Sequence, residues 1–200
     1  MSESKSPILI LDGSTGEPVE AFLCTPISMQ HVQDTKLKWD PWQTKALAEN
    51  VGVREESSHW EWQGKVQDFH GQLAFPTYAI ECSGETQGLM VLSTLESCRI
   101  AEQAGKPLIY VEYLVVAPWN RRSLTTVRRY KAIGSVFVAA AIQLSEEEGF
   151  DGRIGLHSLP QSENWYMNEI GMTDLGMTTK KMRYLEMTSE QANAFLVKGI

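Results

Sequence analysis

The sequence predicts a mixed α/β fold, a sheet with helices on both faces. Three observations carry this. Two runs rich in β-branched and aromatic residues, 73–82 and 86–94, flank Ser83-Gly84 as the arms of a hairpin. The run LIYVEYLVVAP (108–118) is apolar at both alternate sets of positions, as in a central strand covered on both sides. Beyond it, helical and strand patterns alternate to the C-terminus, and a strand meander followed by strand–helix–strand–helix–strand gives a mixed sheet.

Each element has its own local reason. Asp40 before Pro41 reads as an N-cap with proline at the first helical position, giving a helix over 41–50 that Gly52 stops. Ser58-x-x-Glu61 is a capping box for a second helix to Phe69, with Gly71 as terminator. Trp39, Trp42, Trp60 and Trp62 cluster there, either as core aromatics or as the wall of a pocket. After the hairpin and the 108–118 strand, Ile133, Val136, Phe137, Ala140 and Leu144 form one apolar stripe of a helix over 132–148, ended by Gly149. RIGLHSL (153–159) is a strand, 162–170 a short helix closed by Gly171, and KKMRYLEM (180–187) a late strand. Thr188-x-x-Gln191 caps a final helix.

Length and composition fit one soluble domain over 1–200. The formal charge of −7 lowers the prospect of a nucleic-acid partner. The one dense basic stretch, Arg121, Arg122, Arg128, Arg129 and Lys131, then points to a single anionic ligand. Cys24, Cys82 and Cys98 form neither a disulfide framework nor a CxxC pair, which fits a reducing compartment, the cytoplasm. No His or Cys spacing marks a metal site, so no metal is expected. No signal peptide and no membrane span are read.

The segment from Leu108 to Gly171 carries the chemistry. A buried strand ends at Val116-Ala117-Pro118, and a loop feeds Arg129-Tyr130-Lys131-Ala132-Ile133-Gly134 into the long helix. Unpaired N–H groups at a helix N-terminus, here over Ala132, Ile133, Gly134 and Ser135, bind anions when small residues allow close approach. Arg128, Arg129 and Lys131 add positive charge.

This run resembles the signature of the GCN5-related N-acetyltransferase (GNAT) superfamily, a strand ending V-x-P and then Q/R-x-x-G-x-G/A opening a helix. Arg129, Ala132 and Gly134 take those places, with alanine where glycine is usual. NWYMNEIGM resembles the superfamily's FY-x-x-x-GF ending, with Tyr166 at its tyrosine. The resemblance covers 72–186 and leaves 1–71 as a variable part. It departs in the long spacer WNRRSLTTVR between Pro118 and Arg129. The resemblance implies a mostly antiparallel GNAT sheet and acetyl-CoA as cosubstrate. It implies backbone contacts from Leu114, Val115 and Val116 to pantetheine, and an acyltransferase acting on a small-molecule or peptide amine. Tyr166 would protonate the departing thiolate, and Asn164 would anchor pantetheine.

For the base, Glu112 inside an apolar strand and Glu81 at a strand end are candidates, because burial raises a carboxylate's pKa toward a useful range. A water relay is the third option. His157 on its strand either faces the site or packs in the sheet. The acidic chain favours a cationic acceptor. A different class of function, an acyl-CoA-binding regulatory domain, fits the same motifs. The Trp-rich front is then a surface for a partner protein or a second copy, and so for a homodimer.

Overall fold

The computed structural model describes residues 3–49 and 55–199. Nine strands form one mixed sheet: β1 Ser4–Asp12, β2 Pro18–Thr25, β3 Thr77–Cys82, β4 Glu85–Ser97, β5 Pro107–Val116, β6 Tyr130–Lys131, β7 Ile154–Ser158, β8 Thr173–Met177 and β9 Arg183–Met187. Their order is β6-β1-β2-β3-β4-β5-β7-β9-β8. Five α-helices are described: α1 Met29–Asp34, α2 Asp40–Ala48, α3 Trp62–Phe69, α4 Ile133–Glu147 and α5 Ser189–Lys198. None is long and apolar enough to cross a membrane. The chain divides into two compact units, Met1–Val91 with Leu114–Gly134, and Leu92–Tyr113 with Ser135–Ile200.

In the first unit, β1 and β2 pair as a hairpin from Ser4↔Thr25 to Leu11↔Pro18. Sequence reasoning missed it because β1 is exposed over most of its length and buries only Ile10 fully. The Asp12-Gly13 dipeptide at the turn was the available signal. Asp12 anchors that turn by accepting from the Ser14 and Thr15 N–H groups at 2.8 and 2.9 Å. Ser83 and Gly84 have φ of +53° and +71°, the handedness that a tight hairpin between β3 and β4 needs. β3 starts at Thr77 rather than at Leu73, since Pro76 has no N–H for a ladder.

Asp40 is not an N-cap. Helical backbone runs on from α1 through a π turn at Thr35–Trp39 into α2, and Asp40 is itself helical at φ −59°, ψ −48°. The true cap is Ser28, whose hydroxyl accepts the His31 N–H while His31 accepts the Ser28 N–H. The wide turn directly before Pro41 eases the missing N–H and the ring of a proline inside a helix. The end at Asn50 and Gly52 lies outside the described residues. The Ser58–Glu61 box does not form as read: residues Glu56–His59 make a 3-10 turn, and Glu61 is the extended N-cap of α3 without a side-chain cap.

In the second unit, β5 and β7 pair in parallel across α4, from Ile109↔Ile154 to Val111↔Leu156. The ladder stops there, whereas β5 runs on to Val116 and β7 to Ser158. Leu108 to Val111 are buried at four successive positions, as a doubly covered strand requires. The stripe expected on α4 is too narrow, because Val138, Ala141, Ile142 and Ser145 are buried as well. β9 pairs antiparallel with both β7 and β8. β8 has no clean apolar alternation, which hid it from sequence reasoning. β9 begins at Arg183 rather than 180, because Thr178 to Lys181 form its turn. Gly155 is required where it stands: a Cβ there would meet the Tyr184 hydroxyl at 2.7 Å. The Thr188–Gln191 capping box forms in both directions at the start of α5.

Candidate active site

The chain leaves β5 into a loop that is fixed from inside. Gln87, fully buried, accepts from Trp119 Nε1 at 2.9 Å and Asn120 Nδ2 at 3.0 Å. Asn120 then accepts the Tyr130 N–H at 2.8 Å. Arg121 bonds the Val116 carbonyl at 2.7 Å and Glu55 at 2.8 Å. Burial pulls the Arg121 pKa down while Glu55 opposes the shift. Arg121 therefore belongs to the scaffold, and not to the anion site that the basic stretch implied. At the loop's far end Gly13 donates to the Arg129 carbonyl at 2.8 Å. A Cβ on Gly13 would collide with the Arg128 carbonyl, so glycine permits the approach.

The phosphate-loop residues expected from sequence follow directly. Arg128 and Arg129 border an open cleft of about 350 Å³ with Trp42, Trp119, Val127 and Asp12. The Arg129 guanidinium lies over the Trp119 ring at 4.6 Å and pairs with Glu85. Lys131 lies in β6 opposite Leu11. Ala132 has φ +68°, the left-handed region that favours glycine. Ile133 is buried, and Gly134 and Ser135 are half-buried in the first turn of α4. Of the tryptophans, Trp39 and Trp62 are core, Trp39 donating to the Thr86 carbonyl at 3.1 Å, whereas Trp42 lines the cleft.

Leu114 and Val116 are half-buried and Val115 is buried on β5. Glu112, earlier on that strand, is half-buried. Burial pushes its pKa up, Lys180 opposes this, and Glu96 reinforces it. Tyr166 sits in a π-helical turn, Trp165–Ile170, which Gly171 closes at φ +85°. Its ring is buried and packs edge-on to Trp165 at 4.7 Å. Burial pushes its hydroxyl pKa up. Every wholly buried side-chain oxygen or nitrogen among the described residues has a partner, yet the Tyr166 hydroxyl bonds to no described residue. That oxygen therefore keeps a small exposed area. Asn164 is exposed and accepts from Asn168 at 2.7 Å.

Glu81 is held quite differently. Desolvation pushes its pKa up, but Lys5 at 2.6 Å and His31 at 2.7 Å outweigh this, and the net shift is down. A carboxylate so paired is a weak base. Glu3, Cys24, His31 and Glu81 bring four donor atoms within 4.8 Å of one another, a grouping of metal-ligand types invisible as sequence spacing. Its atoms are engaged otherwise. His31 Nδ1 accepts the Ser28 N–H at 2.9 Å, so Nε2 carries the proton and donates to Glu81. The Lys5 ammonium bridges Glu81 and Glu3, and burial pushes the Cys24 thiol up to about 12.

Sequence reasoning also passed over a polar group in the second unit. The Tyr110 hydroxyl and His157 Nδ1 are 2.6 Å apart, and the His157 ring meets Tyr184 edge-on at 5.0 Å. The signal was present as Tyr110 and Glu112 on one face of β5, two residues apart.

No model of a known protein family matches the sequence, and no curated protein matches it. Solved structures do. The GNAT domain of S. lividans PAT is similar over 92% of this chain and 96% of its own, with 13% identity and a TM-score of 0.57. A mutant AtaT toxin bound to the C-terminus of the antitoxin AtaR and acetyl-CoA matches over 88% and 98%, with 14% identity and a TM-score of 0.55. The PaiA N-acetyltransferase from Thermoplasma acidophilum, in complex with coenzyme A, matches over 83% and 98%, with 11% identity and a TM-score of 0.52. The chain has the GNAT fold, the fold of these acetyltransferases.

Proposed function

We propose that the protein is an N-acetyltransferase that moves the acetyl group of acetyl-CoA directly to an amine. The observation that carries this reading is the GNAT fold with a buried Tyr166 ring whose hydroxyl bonds to no described residue.

Glu112 takes a proton from the acceptor ammonium, directly or through one water, at a carboxylate that burial has made more basic. The freed amine nitrogen attacks the thioester carbon, and the backbone N–H of Val115 polarises the carbonyl oxygen. When the C–S bond breaks, Tyr166 gives its proton to the thiolate of coenzyme A. The second proton that the nitrogen sheds on becoming an amide returns to the Tyr166 phenolate through water. A raised phenol pKa keeps that proton in place until sulfur needs it. The backbone N–H groups of residues 132–135 receive the coenzyme's phosphates, with Arg128 and Lys131 adding charge. Leu114 to Val116 offer backbone to pantetheine. Three unpaired, buried cysteines suit the reducing conditions of the cytoplasm.

Calorimetry and a coupled assay test this together. Tyr166→Phe is expected to keep acetyl-CoA affinity while turnover falls by about a hundredfold or more. Unchanged turnover removes Tyr166 from the reaction. Binding without turnover in the unaltered protein, over a broad amine panel, leaves an acyl-CoA-binding regulatory domain instead.

A further inference from the structure

The cleft beside the phosphate turn has a lining that the proposed acetyl transfer does not use. Apart from Arg129, its residues come from outside the superfamily signature: the turn after β1, the helix α2 and the loop that follows β5. Cleft and phosphate turn lie in one compact unit and share Arg129. Neither Glu112 nor Tyr166 is among the lining residues, so the cleft suits a part of the ligand that does not react. Its volume of about 350 Å³ is near the lower end of the range for small-ligand sites, room for one end of a coenzyme rather than all of it.

The walls are fixed before any ligand arrives. Trp119 is buried and held by its bond to Gln87 at 2.9 Å, and Trp42 stands edge-on to it at 6.4 Å. The Arg128 carbonyl lies where a Cβ on Gly13 would be, and the Thr125 hydroxyl donates to the Val127 carbonyl at 2.9 Å. On this frame two apolar surfaces stay uncovered: Trp42 is half-buried, and Val127 is 66% exposed. An aromatic face of this kind is what a nucleic-acid base stacks on.

The charges are placed around that face. Arg129 is answered by Glu85 and rests on the Trp119 ring, and Arg128 brings a second guanidinium. Among the described lining residues the one carboxylate is Asp12. It takes the turn bonds from Ser14 and Thr15 at Oδ1, which leaves Oδ2 for a donor. Those bonds, the Ser14 hydroxyl first, lower its pKa to about 2, so Asp12 only accepts.

We infer that the cleft holds the adenosine 3′-phosphate end of acetyl-CoA, with adenine against Trp42 and Val127, its exocyclic amine toward Asp12 and its phosphate toward Arg128. An aliphatic anion would leave the apolar walls unused, and a polyamine would meet two guanidinium groups. This assignment rests on the acetyltransferase reading and deepens it. The nucleotide becomes a handle whose binding is remote from the reacting carbon, and the chain selects coenzyme A over a phosphopantetheine thioester that lacks it.

Calorimetry on the full chain tests this with acetyl-CoA, adenosine 3′,5′-bisphosphate and S-acetyl-4′-phosphopantetheine, which has no nucleotide. The bisphosphate should bind on its own. Trp42→Leu should weaken acetyl-CoA and the bisphosphate alike by about five- to a hundredfold, the usual weight of one base–aromatic stack. S-acetyl-4′-phosphopantetheine should bind the variant and the unaltered protein equally, and the urea midpoint shows that the variant is folded. Val127→Glu, at an exposed position, should act like Trp42→Leu by placing a carboxylate in the cleft. Inosine 3′,5′-bisphosphate, with a carbonyl where adenine has its amine, should bind about tenfold more weakly than its adenosine counterpart.

Unchanged acetyl-CoA affinity in both variants overturns the cleft as the place of the nucleotide, while acetyl transfer itself survives. Equal affinity for the adenosine and inosine bisphosphates overturns the reading of the base by Asp12. If the unaltered protein binds no acetyl-CoA, the acetyltransferase reading falls, and the bisphosphate decides the cleft separately. Binding that Trp42→Leu abolishes keeps a nucleotide site there, and no binding removes it.

Discussion

Around β1–β3 and the 117–131 loop, charges are matched: Lys5 and His31 hold Glu81, Lys38 holds Asp34, Arg121 holds Glu55 and Arg129 holds Glu85. Around β5, β7 and β9 the pattern is different. Arg99 and Lys180 rest on aromatic rings, and Glu112 has no hydrogen bond or ion pair among the described residues. Matched charges tie segments together and hold carboxylates in their charged form. An unmatched, half-buried carboxylate such as Glu112 keeps its capacity to move a proton. Glu81 and Glu112, alike as strand glutamates in the sequence, end on opposite sides of that division.

The sharpest way to break the comparison is to neutralise both. Glu112→Gln should lower turnover by about 10²- to 10⁴-fold, the usual range for a general base, with little loss of stability. Glu81→Gln should leave turnover near normal and reduce stability by about 1–2 kcal/mol at neutral pH. The pH dependences differ in sign. The folded pKa of Glu81 is depressed, so its contribution is complete above the ordinary 4.5 and disappears as pH falls through the lower folded value. The stability gap between Glu81→Gln and the unaltered protein should therefore close in acid. The Glu112 pKa is raised, so activity should rise with pH through a midpoint above 4.5. Urea melts and pH–rate profiles measure both. A turnover loss shared equally by the two variants would end the distinction.

A second, smaller effect concerns the loop. Arg121 and Glu55 are 9% and 12% exposed, and removal of one partner from a buried pair typically costs about 3 kcal/mol or more. Arg121→Ala should lower the urea midpoint by that measure. Arg121→Met with Glu55→Gln should recover part of it, since no charge is then stranded. If Arg121→Ala weakens coenzyme binding with no change in stability, Arg121 belongs with Arg128 and not with the scaffold.

The fold was legible wherever burial imposed a period. The four apolar positions from Leu108, the α4 stripe and the Thr188 capping box follow from side chains that meet the core or their own backbone. The β1–β2 hairpin was not, because an exposed strand has no apolar alternation to show. Asp40-Pro41 misled because a π turn lets proline follow a helix that has already begun. Among the candidate residues, the half-buried place of Glu112 in an apolar strand and the buried Tyr166 ring were readable from local pattern. The role of Glu81 was not, since Lys5 and His31 reach it across 76 and 50 residues. Arg99, His157 and Lys180 were illegible for the same reason: their relation exists only through the rings of Tyr184 and Tyr110.

The smallest expected effect lies at Ala132, where the superfamily motif would have glycine and the backbone takes φ +68°. A left-handed conformation costs an L-residue about 1 kcal/mol, because Cβ crowds the following carbonyl. Glycine removes that strain and gives back part of the gain through its greater freedom in the unfolded chain. Ala132→Gly should thus stabilise the protein by about 0.5 kcal/mol, read as a higher urea midpoint. If phosphate is held by backbone N–H groups, acetyl-CoA affinity in calorimetry should be unchanged or tighter, because no donor is lost. A weaker affinity would mean that the Ala132 methyl itself touches the coenzyme. A lower midpoint would mean that its packing outweighs the strain, and alanine at this turn would then be a contact in its own right.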